Sequence, residues 1–531
     1  MIAAYTARDV RAAEEPLLAS GPPGALMASA AFALATHVVR ELRAAGRGVP
    51  GSRVLALVGG GNNGGDALHA AAFLARRGVA ATAALLTAEA HAGGLAAARA
   101  AGVALVEVPD EAPSWSTLAR LGEDADVWLD GIAGLGVRGG LREPVAGAVR
   151  VLAGIRTRRA RSLVVVAVDT PSGIGVDDGT VPGAVLPADV TVAMGVAKPG
   201  LLLPPAADLA GRVRVVDIGL AAGLGSSSPA VLRLETPDVA DLWPTPSPAA
   251  QKYERGVLGL LAGSARYPGA GALAAAGACR TGVGMVRYLG DPAVLRLVHA
   301  WHPEVVGAPG RVQAWVFGSG VEAIGEDGES LGSHMRAALA GGLPTVLDAG
   351  ALALLSPLHP AHVDVPLSPR VVLTPHAGEL AALLHSLGVR AVAGAEPTRA
   401  DVEAAPLSWA RRAAPETGAT VLLKGPVTVV VGPDGPAYAQ ADATAWLATA
   451  GAGDVLAGVL GALLAGRSDD VQGDPALAGR LAAAAALVHG RAAREAADGG
   501  PRVAGDVARR MPATIRSVLA ALPGRSGVGR P

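Results

Sequence analysis

A chain of 531 residues exceeds what one hydrophobic core usually organises, so two or more domains are expected. A net charge of −1 with 17% charged residues and no basic block of five or more argues against nucleic acid or an anionic membrane as a partner. The single cysteine, Cys279, has no internal disulfide partner, which suits a reducing compartment and makes cysteine chemistry a poor expectation.

In chain order, the uncharged run from Pro16 to Val39 is broken by Gly21-Pro22-Pro23-Gly24 and leaves a piece too short to cross a bilayer comfortably. Asp9, Glu14 and Glu15 precede it where a secretory signal would be positive, so a cytoplasmic protein is expected. From Val54 on, short Val- and Leu-rich runs (54–58, 103–108, 127–129, 163–168, 190–194) alternate with Ala-rich helical stretches. That βα alternation predicts a mostly parallel sheet covered by helices. The segments 223–229 and 244–248, rich in Gly, Ser and Pro, read as linker punctuation. A second series follows, with strands expected from Val257 and at 314–317, 345–347, 371–373, 421–423 and 427–431. The expected organisation is α/β throughout, with one domain over 1–225, a linker over 226–250, a second domain over 251–525 and a fraying tail from Pro523.

Rare residue types stand out against this Ala-, Gly- and Arg-rich background. The only lysines are Lys198, Lys252 and Lys424, and the only asparagines are Asn62 and Asn63. After the run 54–58 comes Gly59-Gly60-Gly61-Asn62-Asn63-Gly64-Gly65-Asp66, then a helical stretch expected from Ala67 to Arg77. Strand, glycine loop and helix start make an anion site, and the two amides and the carboxylate add ligands that phosphate cradling does not require. Asp130 and Asp169 end two further strands, the second leading into Thr170-Pro171-Ser172-Gly173. Ligands of open parallel sheets bind beyond the carboxyl ends of strands, so these groups are expected to converge. Asn63, Asp130 and Ser172 offer hard oxygen donors suited to an alkali cation, leaving Asp169 for proton transfer. A helix cap or turn role accounts for any one of these aspartates but poorly for all of them.

In the second half, Gly451-Ala452-Gly453-Asp454 opens a strongly apolar helix expected over 455–465. Amides at a positive helix terminus around a carboxylate suit phosphoryl transfer, with Asp454 taking a proton from a hydroxyl; an acidic cap on a buried helix is the plainer reading. No Gly-Lys dipeptide occurs, so this is not a P-loop. The turn Lys424-Gly425-Pro426-Val427-Thr428 joins two expected strands and is a seat for a nucleotide phosphate or sugar. His376, in Thr374-Pro375-His376-Ala377-Gly378-Glu379, stands at another strand end that favours ligand contact.

At Gly61 to Asp66, Asp130 to Gly136, Val168 to Gly173 and Lys198-Pro199-Gly200, the sequence resembles the NAD(P)H-hydrate epimerase family, over about residues 1 to 220. The resemblance implies a Rossmann-like three-layer fold and potassium at Asn63, Asp130 and Ser172. It also implies hydrate contacts at Asn62, Asn63, Gly64, Gly65 and Asp66, and at Gly134, Leu135, Gly136, Val137, Arg138, Gly139 and Gly140, with Asp169 near the reacting carbon. Ala67 and Leu135 depart from the family pattern of glycine and threonine.

Residues 240 to 525 resemble the ribokinase-like ADP-dependent NAD(P)H-hydrate dehydratases. Lys252, Gly263-Ser264, Tyr267 to Ala270, Leu347-Asp348-Ala349, Leu373 to Glu379, Leu423 to Thr428 and Gly451 to Gly458 carry that likeness. It implies nucleotide contacts at Lys424, Gly425, Pro426, Val427, Thr428 and Gly453. Hydrate contacts are implied at Ala270, Gly320, His376 and Asp454, with magnesium assisting ADP as phosphoryl donor. Gly318-Ser319-Gly320-Val321-Glu322 departs from the family's usual GPGLG. The implied partners are small molecules, hydrated NADH and NADPH and ADP, with a homo-oligomer expected and neither nucleic acid nor membrane. The rival is a ribokinase-like kinase of a small alcohol fused to a non-catalytic nucleotide-binding module.

Overall fold

The runs of Val and Leu in the middle of each sheet become strands covered on both faces, and the Ala-rich stretches between them become most of the covering helices. The computed structural model describes the chain except residues 21, 23, 109–114, 137–138, 160–161, 226, 392–393 and 522–531. Val137, Arg138 and the tail from Pro523 therefore lie outside the described residues. The strands are β1 (Ile2–Ala4), β2 (Arg53–Val58), β3 (Ala80–Leu85), β4 (Ala104–Glu107), β5 (Val127–Gly131), β6 (Val164–Val168), β7 (Val190–Met194) and β8 (Arg212–Val216). They continue with β9 (Val231–Arg233), β10 (Val257–Leu261), β11 (Met285–Tyr288), β12 (Ala314–Phe317), β13 (Thr345–Leu347), β14 (Val371–Leu373), β15 (Thr420–Leu423), β16 (Thr428–Val431) and β17 (Ala437–Gln440). Two units separate, Ala3–Ala230 and Val231–Pro531, the latter with Met1–Ile2.

The first unit is built on a seven-stranded sheet in the order β4-β3-β2-β5-β6-β7-β8, every pair parallel. Alternation along β5 sends Val127 and Leu129 into a core with Leu34, Val38, Leu68 and Leu74, and Trp128 into one with Leu118, Leu152 and Ile155. The chain leaves β2 for β3 and β4 on one side and later for β5 on the other. The strand order thus reverses between β2 and β5, the point where open α/β sheets leave a crevice. Helix Ala25–Ala44 has the length and hydropathy of a membrane span, at 20 residues and 1.3. Ala31, Leu34, Val38 and Leu42 are nevertheless buried in this core, as in the core helix of a globular unit.

The second unit has a ten-stranded sheet, β1-β9-β17-β16-β15-β14-β13-β12-β10-β11, parallel from β11 through β15 and antiparallel at β15-β16 and β16-β17. Helix Ala452–Gly466 is apolar all round and buried along its length. A side chain at Gly458 would place Cβ 2.0 Å from the Ala274 carbonyl oxygen, and one at Gly277 would place it 2.4 Å from that of Val455. Helices Pro268–Thr281 and Ala452–Gly466 therefore pack backbone against backbone, which fixes the start of the second against the middle of the first.

Several expectations need correction. The stretch 226–250 is not a plain linker: β9 pairs with β17, and helix Thr236–Leu242 carries a capping box between Glu235 and Asp238. The helix expected from Ala67 begins at Asn62, so Asn62, Asn63, Gly64 and Gly65 are already helical. There, Gly64 closes on the Gly59 carbonyl oxygen, which an added Cβ would meet at 2.1 Å, and no side chain could take its place. Strand β3 falls inside a stretch read as helical, because its Ala-rich sequence lacks the β-branched signature.

Candidate active sites

At the reversal between β2 and β5, the loop 59–61 and helix Asn62–Ala75 face the segment after β5 across a cleft of ≈ 590 Å³. Asn62, Asn63, Asp66, Gly134, Leu135, Gly136 and Asp169 line it together with Arg11, Glu14 and Met27. Gly64 and Gly65 are buried in the helix behind it, and Gly140 borders an adjoining cleft with Leu141 and Arg142.

Register places Asp130 beside Leu57 and Ala167, at the common carboxyl edge of three strands. Its carboxylate is fully buried and accepts from the Ser172 amide at 2.8 Å and hydroxyl at 2.6 Å. Burial pushes this carboxyl up, and the hydrogen bonds from Ser172 and the Ile132 amide oppose the shift. The Asn63 side-chain nitrogen donates to the carbonyls of Val168 at 2.6 Å and Ala133 at 3.3 Å. Asn63, Asp130 and Ser172 are thus brought into one cluster, to which those two main-chain oxygens are added.

Asp169 adopts φ 66°, a left-handed conformation uncommon for a residue with a Cβ. Its Oδ1 accepts from the Met194 amide at 2.9 Å and from the buried Lys198 ammonium, which also donates to the Met194 carbonyl at 2.9 Å. Burial first, then the charges of Asp169 and Glu14, push the Asp66 carboxyl up to about 8 against the pull of Lys198. Burial likewise raises Glu14, opposed by Lys198 and reinforced by Asp169. Three acids and one lysine at one cleft favour a retained proton, and Asp66 is the group that keeps it at neutral pH.

In the second unit, the carboxyl ends of β12, β13, β14 and β15 converge on Asp348. Ser319 and Thr374 each donate a hydroxyl to it at 2.8 Å, and the Lys424 ammonium approaches to 2.9 Å. Burial opposes ionisation of Asp348, yet Lys424 and the two hydroxyls hold it below the usual carboxylate range. Lys424 is in turn held above its ordinary value despite burial, by Asp348, Glu379 and Asp454. A Cβ at Gly453 would lie 3.5 Å from the Lys424 nitrogen, so the lysine sits beside the start of helix Ala452–Gly466. Asp454, in the first turn of that helix, is pushed up to about 6 by burial and by Asp348, with Lys424 opposing. It is partly exposed, not walled off.

The remaining expected residues fall around this cluster. Gly425 and Pro426 are exposed in the β15–β16 turn, Val427 is buried beneath it, and Thr428 begins β16. Gly320 has φ +66° and abuts Ala270, whose Cβ an added Cβ would meet at 2.3 Å. The departure from GPGLG therefore keeps both glycines that the backbone requires: Gly318, at φ +101°, closes on the Asp348 carbonyl oxygen. His376 is a cap as well as a site candidate. Its Nδ1 accepts from the Gly378 and Glu379 amides at 3.0 and 3.2 Å, while its side chain stays 56% exposed.

Residues 258–510 match the family model described as NAD(P)H-hydrate dehydratase, and residues 23–200 match the model described as YjeF-related protein N-terminus. The bifunctional NAD(P)H-hydrate repair enzyme Nnr of Mycobacterium tuberculosis strain CDC 1551 is 45% identical over 467 residues, covering 87% of this chain and 89% of the relative. That of Mycobacterium leprae strain TN is 43% identical over 531 residues, covering 98% and 99%. The chain belongs to the bifunctional NAD(P)H-hydrate repair enzymes. Among solved structures, it is similar to the ADP/ATP-dependent NAD(P)H-hydrate dehydratase of Bacillus subtilis co-crystallised with ATP and Mg2+. That likeness has 25% identity and a TM-score of 0.44 over 54% of this chain and 98% of the other.

In this repair enzyme, several groups that no sequence motif assigns to a role lie at or beside the sites. Lys198 was marked by its rarity and its KPG motif but had no assigned role, and Asp348 sat in a matching run without one. Glu14 lies in helix Ala7–Ser20, ahead of every motif, and carries no local signal. His489 is fully buried and pushed down to about 4 by that burial, and it hydrogen-bonds the Ala452 backbone at the start of the Asp454 helix.

Proposed function

We propose that the N-terminal unit interconverts the R and S hydrates of NADH and NADPH, and that the C-terminal unit dehydrates the S hydrate using ADP, releasing AMP and phosphate. The observation that carries this reading is Asp454 in the first turn of an apolar helix, within the field of a Lys424 that is bonded to Asp348, in a chain whose other unit has Asp66 and Asp169 lining one cleft with Lys198 bonded to Asp169 behind it.

The hydrate bears its hydroxyl on carbon 6 of the reduced nicotinamide, and hydroxide is a poor leaving group. In the dehydratase, Asp454 takes the hydroxyl proton as the oxygen attacks the β-phosphorus of ADP, and the bond to the α-phosphate oxygen breaks to give AMP. The main-chain amides at Gly453 and Asp454 and the Lys424 ammonium stabilise the charge that develops on the phosphoryl oxygens. The ester then loses phosphate from carbon 6 and a proton from carbon 5, restoring the dihydronicotinamide. The turn from Lys424 to Thr428 holds the nucleotide, while Ala270, Gly320 and His376 border the hydrate. Magnesium needs only one or two carboxylates besides phosphate oxygens, and Glu379, partly exposed beside Lys424, fits that need; bound there, it would neutralise phosphate charge.

In the epimerase, Asp66 donates its proton to the carbon-6 hydroxyl and water departs with assistance from the ring nitrogen. When water re-adds from the opposite face, Asp169, oriented by Lys198 and the Met194 amide, receives its proton, and release of that proton to solvent with uptake of one by Asp66 restores the starting state. Potassium suits the cluster behind them. Asp130 is a buried acid with no cationic side chain acting on it among the described residues, and the Ser172 hydroxyl and the Ala133 and Val168 carbonyls supply further hard oxygens. Asn63 would join through its amide oxygen, since the two ends of an amide differ by one rotation. Potassium there would anchor the loops after β5 and β6.

The test is to incubate a mixture of both hydrate epimers with the chain and ADP. Full return of dihydronicotinamide absorbance with one AMP per hydrate is expected. Return of only the S share, or no AMP, would refute one half of the reading or the other.

A further inference from the structure

Cys279, the chain's only cysteine, lies in the last turns of helix Pro268–Thr281, about 13 Å along that helix from Ala270 and so away from the dehydratase cluster. His302 closes helix Pro292–Trp301, and Glu304 follows two residues later. A sulfur, an imidazole nitrogen and a carboxylate oxygen from these residues all lie within 4.8 Å of one another, with His302 Nδ1 to Glu304 Oε1 at 3.0 Å. His302 is buried, whereas Glu304 is 58% exposed and keeps the cluster open to solvent on one side. The neighbouring backbone is anchored: Val306 bridges Arg287, and the Tyr288 amide donates to the Val306 carbonyl.

We propose that Cys279, His302 and Glu304 form a binding site for a thiophilic divalent cation of the zinc class. One sulfur, one imidazole and one carboxylate with a solvent ligand in the fourth position is a donor set that zinc accepts in tetrahedral geometry, with ligand atoms about 3.3 to 3.8 Å apart. Glu304 already touches both of the other groups by hydrogen bonds to His302 and Cys279, and its exposed side chain is free to make the remaining adjustment. Binding replaces the S–H bond of Cys279 by a sulfur–metal bond and releases the proton to solvent; no electron is transferred. The ion would tie the end of helix Pro268–Thr281 to the segment beside β11. Neither reaction proposed above uses these three residues, so the site's standing is independent of theirs.

The test is titration of the full chain with Co2+. A thiolate-to-cobalt charge-transfer band in the near ultraviolet, saturating at one equivalent and abolished by Zn2+, is the expected result. Cys279→Ser should lose the band, and Glu304→Gln and His302→Ala should weaken binding by about 10- to 100-fold, at least the loss that removing a ligand's hydrogen-bond partner produces. ADP-dependent turnover of hydrate reports that each variant is folded. Absence of a band in active wild-type chain, a band that survives Cys279→Ser, or unchanged affinity in Glu304→Gln would overturn the assignment.

Discussion

The two sites use the same part differently. Each sets an aspartate near the start of a helix at the carboxyl edge of a parallel sheet, yet Asp66 is pushed up to about 8 and Asp454 only to about 6. Burial acts in the same direction on both, and their charged neighbours differ. Asp66 faces the carboxylates of Asp169 and Glu14, with Lys198 already paired to Asp169. Asp454 faces one carboxylate, Asp348, and a lysine close to its own helix terminus. At neutral pH the first retains a proton to give and the second has room to take one. The same residue type thus becomes an acid in one unit and a base in the other, according to the local charge balance.

The largest effect expected from breaking this contrast is that of Asp454→Asn, which should lower dehydration by about 10² to 10⁴ while epimerisation persists. Steady-state assays of each half-reaction check this. Asp66→Asn should lower epimerisation by about 10² and leave ADP-dependent loss of the S hydrate intact, as measured by chromatographic separation of the epimers. The pH dependence should then separate the two halves. Dehydration requires an ionised Asp454 and should fall as pH drops through about 6, whereas epimerisation requires a protonated Asp66 and should fall as pH rises through about 8. Asp348→Asn sharpens the comparison, because removing the like charge and freeing Lys424 both lower the acid limb of the dehydratase profile. The last change concerns packing and is read in stability: Gly458→Ala, with its Cβ 2.0 Å from the Ala274 carbonyl oxygen, should cost at least about 3 kcal/mol in a denaturant melt.

Both α/β units were legible in the sequence where strands carry Val and Leu, as at β7, β12, β13 and β14. The alanine-rich β3 and the arginine-bearing edge strand β8 were not, since their pairing is decided by neighbours in the sheet and not by local composition. Glycines with Asn62, Asn63 and Asp66, and the strand-end Asp130 and Asp169, pointed to the first cleft because such residues break the surrounding pattern. Glu14 and His489 left no such mark. They reach the sites through tertiary packing from helices whose sequences read as ordinary, and only the assembled unit sets the charge of Glu14 against Asp66 and the His489 ring against the Ala452 backbone. The strand-end position of His376 points to ligand contact, and the capping role that its Nδ1 adds by accepting from two amides is one its residue type does not advertise.

The most direct measurement is to give the Asp454→Asn chain a single purified hydrate epimer with ADP and to follow both epimers and AMP together. The epimers should equilibrate while total hydrate stays constant and AMP fails to form. Loss of hydrate with AMP at the wild-type rate would contradict the role of Asp454 as the base.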